Sequence, residues 1–152
     1  MPRVVLDTYA VIKADNVEWA DDIAHMHQAC FPDCEVYGTD TPDSVWWVAY
    51  FGSEECPVAF AGLRLDYSTK QAYLARAGVL QGHRGCGLQL KLIKTRVAYA
   101  KRVGMKRLVT DTIPGNYHSA NNLIRAGFLL FNPSTPWAGV EHSLFWRKEL
   151  DQ

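Results

Sequence analysis

A chain of 152 residues can close one core and is short for two, so a single domain over 1–152 is expected. Lys plus Arg and Asp plus Glu number 16 each, and a formal net charge of zero argues against a nucleic-acid partner, which calls for a basic excess. The opening MPRVVLDTYAVIKAD lacks a charged-then-apolar leader pattern and no apolar run is long enough to span a bilayer, so a cytoplasmic chain with no membrane partner is expected. Cys30, Cys34, Cys56 and Cys86 follow no disulfide framework, and reduced thiols are expected.

Alternation and β-branching predict a strand over 3–14. Asn16 is the expected cap of a helix in which Ile23, Met26, Cys30 and Phe31 share a face, and Pro32 stops it. The stretch 33–43 is turn-rich and carries no clear period, with room for a second short helix. VWWVAYFG and PVAFAGLRLDY flank the polar SEEC and read as a hairpin, and QAYLARAGVL after Ser68-Thr69-Lys70 adds a third strand to an antiparallel meander. The period then changes. Leu90, Ile93, Val97, Ala100 and Gly104 mark one face of a helix that Gly104 caps, with Lys91, Lys94, Lys101 and Arg102 off that stripe on a solvated face. MKRLVTDTI is a buried-looking strand. PGNYHSANNLIRAGF gives a turn, a short helix and a Gly127 cap, and FLLFN and EHSLFWRKEL close with two strands.

The stretch GHRGCGLQLKLIK, between strand and helix, holds three glycines, Gly82, Gly85 and Gly87. A nucleoside-triphosphate P-loop needs Lys and Ser or Thr after its last glycine, and Leu88 and Gln89 stand there. A dinucleotide fingerprint needs a third glycine where Leu90 stands, and it comes here after an antiparallel meander with too few βα units left to build two halves. A backbone cradle for a pyrophosphate fits: glycines permit close approach, and a helix N-terminus supplies orphan N–H groups and the positive end of its dipole. A tight turn with no ligand fits the same letters.

In AYLARAGVLQGHRGCGLQ, Val79, Arg84 and Gly87 stand as in the segment R/Q-x-x-G-x-G/A of the GNAT superfamily of N-acetyltransferases, which the chain resembles. Asn116-Tyr117-His118-Ser119, the junction RVAYAKRVGMKRL and Gly127-Phe128 extend the resemblance from about 72 to 128. It departs at Gln89, where relatives carry Gly or Ala. The resemblance implies an α+β (mixed α/β) fold: a twisted, mostly antiparallel sheet flanked by helices and splayed between its parallel fourth and fifth strands. It implies acetyl-CoA as cosubstrate, with Arg84, Gly85, Cys86, Gly87, Leu88 and Gln89 around the pyrophosphate. Ala77 to Val79 would then pair with the pantetheine arm and offer an N–H to the oxyanion, and Asn116 would bond the pantetheine unless it only caps a helix. Gly78 reads as a bulge or as a plain glycine in a weak strand.

The implied reaction is direct attack of a primary amine, a small molecule or a protein, on the thioester. Relatives often carry an acid Tyr four residues before the Gly of Gly-Phe. Leu123 stands there, and Tyr117 is the nearby substitute. Glu35, Asp66 and Asp111 are candidate bases, and each also reads as an ordinary surface carboxylate. Leu123 motivates the rival expectation, an acyl-CoA-binding or interaction module that has lost its chemistry. His25, His27, Cys30 and Cys34 match no zinc spacing, and no metal is expected. Cys86 beside Arg84 at a helix start reads as reactive or as a bland loop residue. Trp137, in a Pro-flanked loop, is left open between an acceptor pocket and a homodimer contact.

Overall fold

The computed structural model describes residues 9–14, 18–34, 43–52, 55–137 and 142–150. The described residues form seven strands, three helices and one 3-10 turn, in the order β1 (Tyr9–Ala14), α1 (Ala20–Cys30), β2 (Ser44–Phe51), β3 (Ala59–Asp66), β4 (Gln71–Val79), the turn Gln81–His83, α2 (Leu88–Arg102), β5 (Arg107–Thr112), α3 (Tyr117–Arg125), β6 (Leu129–Phe131) and β7 (Leu144–Glu149). The hydrogen-bonded strand order is β1-β2-β3-β4-β5-β7-β6. Strands β1 with β2, β2 with β3, β5 with β7 and β6 with β7 are antiparallel, and β4 with β5 is parallel. This is the mixed, mostly antiparallel architecture expected. Two compact units can be distinguished, residues 1–64 with 75–92 and residues 65–74 with 93–152, so β4 and α2 each contribute to both.

In the first unit, β1 pairs with β2 from Tyr9↔Phe51 to Ala14↔Trp46, and β2 with β3 from Ser44↔Arg64 to Ala49↔Ala59. Helix α1 lays Ile23 and Met26 on Trp46, Val48 and Phe60, with Cys30 and Phe31 packed at the margin. That is the apolar face expected from the sequence. Full burial of a Phe or Leu such as Phe60 or Leu63 contributes roughly 1.5–3 kcal/mol each. The helix begins at Ala20 with Trp19 as its cap and no side-chain cap bond, three residues later than expected. Trp19 compensates through tertiary contact, its indole N–H donating to the Tyr50 hydroxyl at 2.9 Å. Asn16 lies outside the described residues, as do residues 35–42, on which the second short helix was expected.

In the second unit, β5 pairs with β7 from Arg107↔Glu149 to Thr112↔Leu144, and β7 with β6 from Leu129↔Arg147 to Phe131↔Phe145. Leu108, Val109, Leu123, Phe128 and Trp146 are buried there. The parallel ladder between β4 and β5 runs from Gln71↔Arg107 to Tyr73↔Val109. Beyond it the Thr110 hydroxyl donates to the Leu74 carbonyl at 3.0 Å. A side chain thus takes over at the end of the short ladder.

Candidate active site

In the first unit, β4 delivers the chain into the glycine stretch. The 3-10 turn places its His83 N–H on the Leu80 carbonyl at 2.9 Å, and Arg84 follows in extended conformation. Gly85 and Gly87 both have φ of 79°, the left-handed region that costs an L side chain roughly 1–2 kcal/mol. A Cβ at Gly85 would meet nothing within 4 Å, so that glycine serves the backbone path rather than a packing contact. The chain then enters α2, with the Lys91 N–H donating to the Gly87 carbonyl at 3.1 Å as an opening bond of the helix. The first turn ahead of it, from Leu88, directs its N–H groups out of the positive end of α2.

One side chain of the loop and one of α1 converge on the end of β4. The Arg84 Nε–H donates to the Val79 carbonyl at 2.8 Å, and the Cys30 thiol reaches the same oxygen at 3.6 Å. Burial pushes the Cys30 thiol pKa up, while a hydrogen bond from Arg84 and its charge pull the other way. Arg84 therefore commits part of its guanidinium to the loop itself, a role that its place in the motif did not reveal. Cys86 turns its Sγ back toward the Arg84 carbonyl at 3.8 Å. Lys91, expected on a solvated face, instead donates to the Tyr9 carbonyl at 3.0 Å, and the Tyr9 hydroxyl lies 3.1 Å from His83 Nδ1. Helix α2 is thereby tied to β1 through its second turn.

Gly78 has a steric reason. A Cβ there would lie 2.8 Å from Cys30 Sγ and 2.8 Å from Phe60 Cε1. Close packing beneath α1, which neither sequence reading considered, accounts for this glycine. Two residues earlier, Arg76 extends over Phe31, its Cζ 5.0 Å from the ring centroid, and places Nη1 3.2 Å from His27 Nε2. Arginine only donates, so His27 Nε2 accepts, and the ring is neutral with its proton on Nδ1. His27 is 2% exposed, and burial first and the Arg76 charge second lower its pKa. His27 is thus a core residue of α1. Among the described residues, no group of three or more His, Cys, Asp or Glu side chains could hold a metal ion.

In the second unit the candidate bases separate. Asp66 accepts the Ser68 hydroxyl at 2.6 Å and the Ser68 and Thr69 N–H groups at 2.9 and 3.3 Å, all on Oδ1. The side-chain hydrogen bonds from Ser68 and then Thr69 hold its carboxyl below the usual range, so Asp66 serves its turn. Asp111 accepts the Tyr73 hydroxyl at 2.8 Å and the Trp137 indole N–H at 3.0 Å. Glu35 lies outside the described residues. Asn116 caps α3, its Oδ1 accepting the Ser119 N–H at 3.2 Å. Tyr117, the first residue of α3, is 75% exposed, and Leu123 is 4% exposed in the core.

The family model for the acetyltransferase (GNAT) family matches residues 10–128. The chain belongs to the GNAT acetyltransferase family. Solved structures agree at the level of the fold. The ribosomal-protein-S18-alanine N-acetyltransferase of Escherichia coli superposes with a TM-score of 0.76 at 10% identity, covering 95% of each chain. A Bacillus subtilis acetyltransferase in complex with CoA gives 0.73 at 12% identity, covering 93% of this chain and 99% of that one. A Salmonella typhimurium structure with its cofactor acetyl-CoA gives 0.69 at 19% identity, covering 95% of each. No curated protein matches the chain. The sequence motif found the loop, while Tyr73 and Trp137, on either side of Asp111 in the network, carried no motif and came together only through strand register. No helix among the described residues is long and apolar enough to cross a membrane.

Proposed function

We propose that this chain transfers the acetyl group of acetyl-CoA to a primary amine by direct attack, as one catalytic domain in the cytoplasm. The observation that carries the reading is the loop of Gly85 and Gly87, both left-handed, opening onto the N-terminus of α2. The space beside Gly85 leaves its backbone open to an anion. The backbone of Arg84, Gly85, Cys86, Gly87, Leu88 and Gln89 would hold the pyrophosphate, while Ala77 and Val79 would line the pantetheine arm. Arg84 supports the site by holding the loop on Val79. Asn116 orders the start of α3 and has its side-chain amide left to offer the cofactor.

Acetyl-CoA, when bound, supplies the thioester carbonyl and the thiolate leaving group. The protein contributes an N–H from β4 near Ala77 to Val79 for the developing oxyanion. Tyr117, exposed at the start of α3, is the candidate donor of a proton to the departing thiolate, and the attacking amine gives up its own proton to a base or a chain of waters. Calorimetric titration with acetyl-CoA, followed by release of free CoA in the presence of an amine panel, tests the reading. Absence of acetyl-CoA binding would overturn it.

Leu123 favours a second reading. Where relatives often carry an acid, a buried aliphatic side chain packs in the core. A chain that binds acyl-CoA without transferring the acyl group would have this pattern, and acetyl-CoA binding with no CoA release across the panel would support it.

A further inference from the structure

Cross-strand partners share a face of a sheet, and so do alternate residues along a strand. The register therefore places Asp111, Phe145 and Phe131 in one row across β5, β7 and β6, with Tyr73 and Val109 on the same face. Trp137 folds over this row. Its ring centroid is 4.8 Å from that of Phe145, edge to face at 80°, and 5.7 Å from that of Phe131 at 31°. The Trp137 indole N–H and the Tyr73 hydroxyl both donate to Asp111 Oδ1, at 3.0 and 2.8 Å.

The asymmetry is informative. The bonds from Tyr73 and Trp137 both fall on Oδ1, and Asp111 is only half-buried. Fastening the Trp137 loop requires one neutral acceptor oxygen, which an amide would supply. A carboxylate adds a charge, fixed in orientation and bordered by aromatic rings. Such a border complements a cation on an apolar body. The same row already makes one cation–π contact of its own: Arg147 Cζ lies 4.9 Å from the Phe131 centroid. Trp137 and Tyr73 bond the carboxylate directly, and Phe145 is its cross-strand partner.

We infer that this row is the acceptor subsite, and that it takes an ammonium carried on an aromatic or alkyl skeleton. The amine binds as its ammonium, with an N–H bonding Asp111 Oδ2 and the skeleton against Trp137 and Phe145, and gives one proton to solvent before its lone pair attacks the thioester. Tyr73 and Trp137 act as positioning residues through their bonds to Oδ1. The inference rests on the acetyltransferase reading and gives its acceptor a chemical class.

The test uses the full chain. Trp137→Phe identifies the Trp137 indole N–H signal in an NMR spectrum by its disappearance. Titration with 2-phenylethylammonium should move that signal saturably, and 3-phenylpropanoate should leave it in place. Asp111→Asn keeps an oxygen to accept both bonds and removes the charge. It should weaken the ammonium about tenfold and raise the KM for 2-phenylethylamine by a similar factor, with kcat within about twofold and acetyl-CoA binding unchanged. Trp137→Leu, which keeps the carboxylate and removes both the ring and its indole signal, should raise the KM for 2-phenylethylamine several-fold. Equal response to both probes, an Asp111→Asn variant that matches the parent, or an indole signal that moves with protein concentration instead of probe would each overturn the subsite. The last outcome would make the row a contact between copies. If acetyl-CoA fails to bind while the ammonium still shifts the signal, the transferase reading fails and the cation site stands. If Asp111→Asn does not fold, the two probes on the parent chain and the KM of Trp137→Leu for 2-phenylethylamine decide the matter.

Discussion

The Thr110 hydroxyl donates to the Leu74 carbonyl at 3.0 Å, just past the last parallel pair of β4 and β5, Tyr73↔Val109. Thr110 is 6% exposed, so the carbonyl it satisfies has little access to water as a replacement. Thr110→Val keeps the shape and removes the donor. Loss of a donor that leaves a buried acceptor unsatisfied costs about 1–3 kcal/mol. Urea unfolding should show a lower midpoint with an unchanged slope, and a Thr110→Ser variant, which restores the hydroxyl, should recover part of the loss.

Gly78 presents a packing question with a definite sign. A Cβ there would stand 2.8 Å from Cys30 Sγ, 2.8 Å from Phe60 Cε1 and 3.0 Å from Cys30 Cβ. Overpacking of this kind typically costs 1–3 kcal/mol. Gly78→Ala should therefore destabilise the chain by about that amount in urea. Cys30→Ala in the same chain removes the sulfur but leaves Phe60, so the double variant should regain part of the loss and not all of it. Additive effects of the two substitutions would show that the contact is not the cause.

His27 gives stability a pH dependence. Burial first and Arg76 second lower its pKa in the folded chain, so below the ordinary histidine value the unfolded chain binds a proton that the folded one resists. The His27 contribution is fully present above the unfolded pKa and is lost as the pH falls through it toward the lowered folded value. His27→Gln retains an acceptor for Arg76 and removes the titration. Urea midpoints measured from neutral to mildly acidic pH should fall less steeply for His27→Gln than for the parent, and parallel curves would refute the assignment.

The architecture was legible where the period of the sequence is clean. The alternation in VWWVAYFG and AFAGLRLD became β2 and β3, and the apolar stripe through Ile93 and Ala100 became α2. The beginning of α1 was not legible, because a Trp19–Tyr50 contact 31 residues apart does the work that a local cap would do. The backbone path of the glycine loop was legible because it is set by residues adjacent in sequence. The Asp111 row was not, because Tyr73 and Trp137 reach that carboxylate from 38 and 26 residues away, and only register decides which side chains share a face. Gly78 suggested a backbone distortion, whereas its cause is the space taken by a side chain of α1.

Because β4 and α2 each contribute to both compact units, the units should not unfold separately. Breaking either element removes residues from both cores at once. Urea unfolding followed by tryptophan fluorescence and by far-ultraviolet circular dichroism should give coincident single transitions. Trp46 and Trp47 report on the first unit and Trp146 on the second, so single-tryptophan variants would reveal two midpoints if the units were independent.

The three glycines of the loop differ in what they permit, and acetyl-CoA binding should rank them. Gly85 and Gly87 have φ of 79°, while Gly82 is not among the residues with positive φ. A Cβ at Gly82 or at Gly85 meets nothing within 4 Å, so neither alanine clashes, and the two substitutions isolate backbone conformation from packing. Alanine in the left-handed region costs roughly 1–2 kcal/mol, and the loop can relieve that only by rotating its N–H groups away from the anion they are proposed to hold. Gly85→Ala and Gly87→Ala should therefore weaken acetyl-CoA by about tenfold or more in calorimetric titration, at a stability cost near 1 kcal/mol. Gly82→Ala should stay within about twofold of the parent. Equal affinities across all three variants would mean that the left-handed turn only redirects the chain into α2, and the anion would have to be held elsewhere.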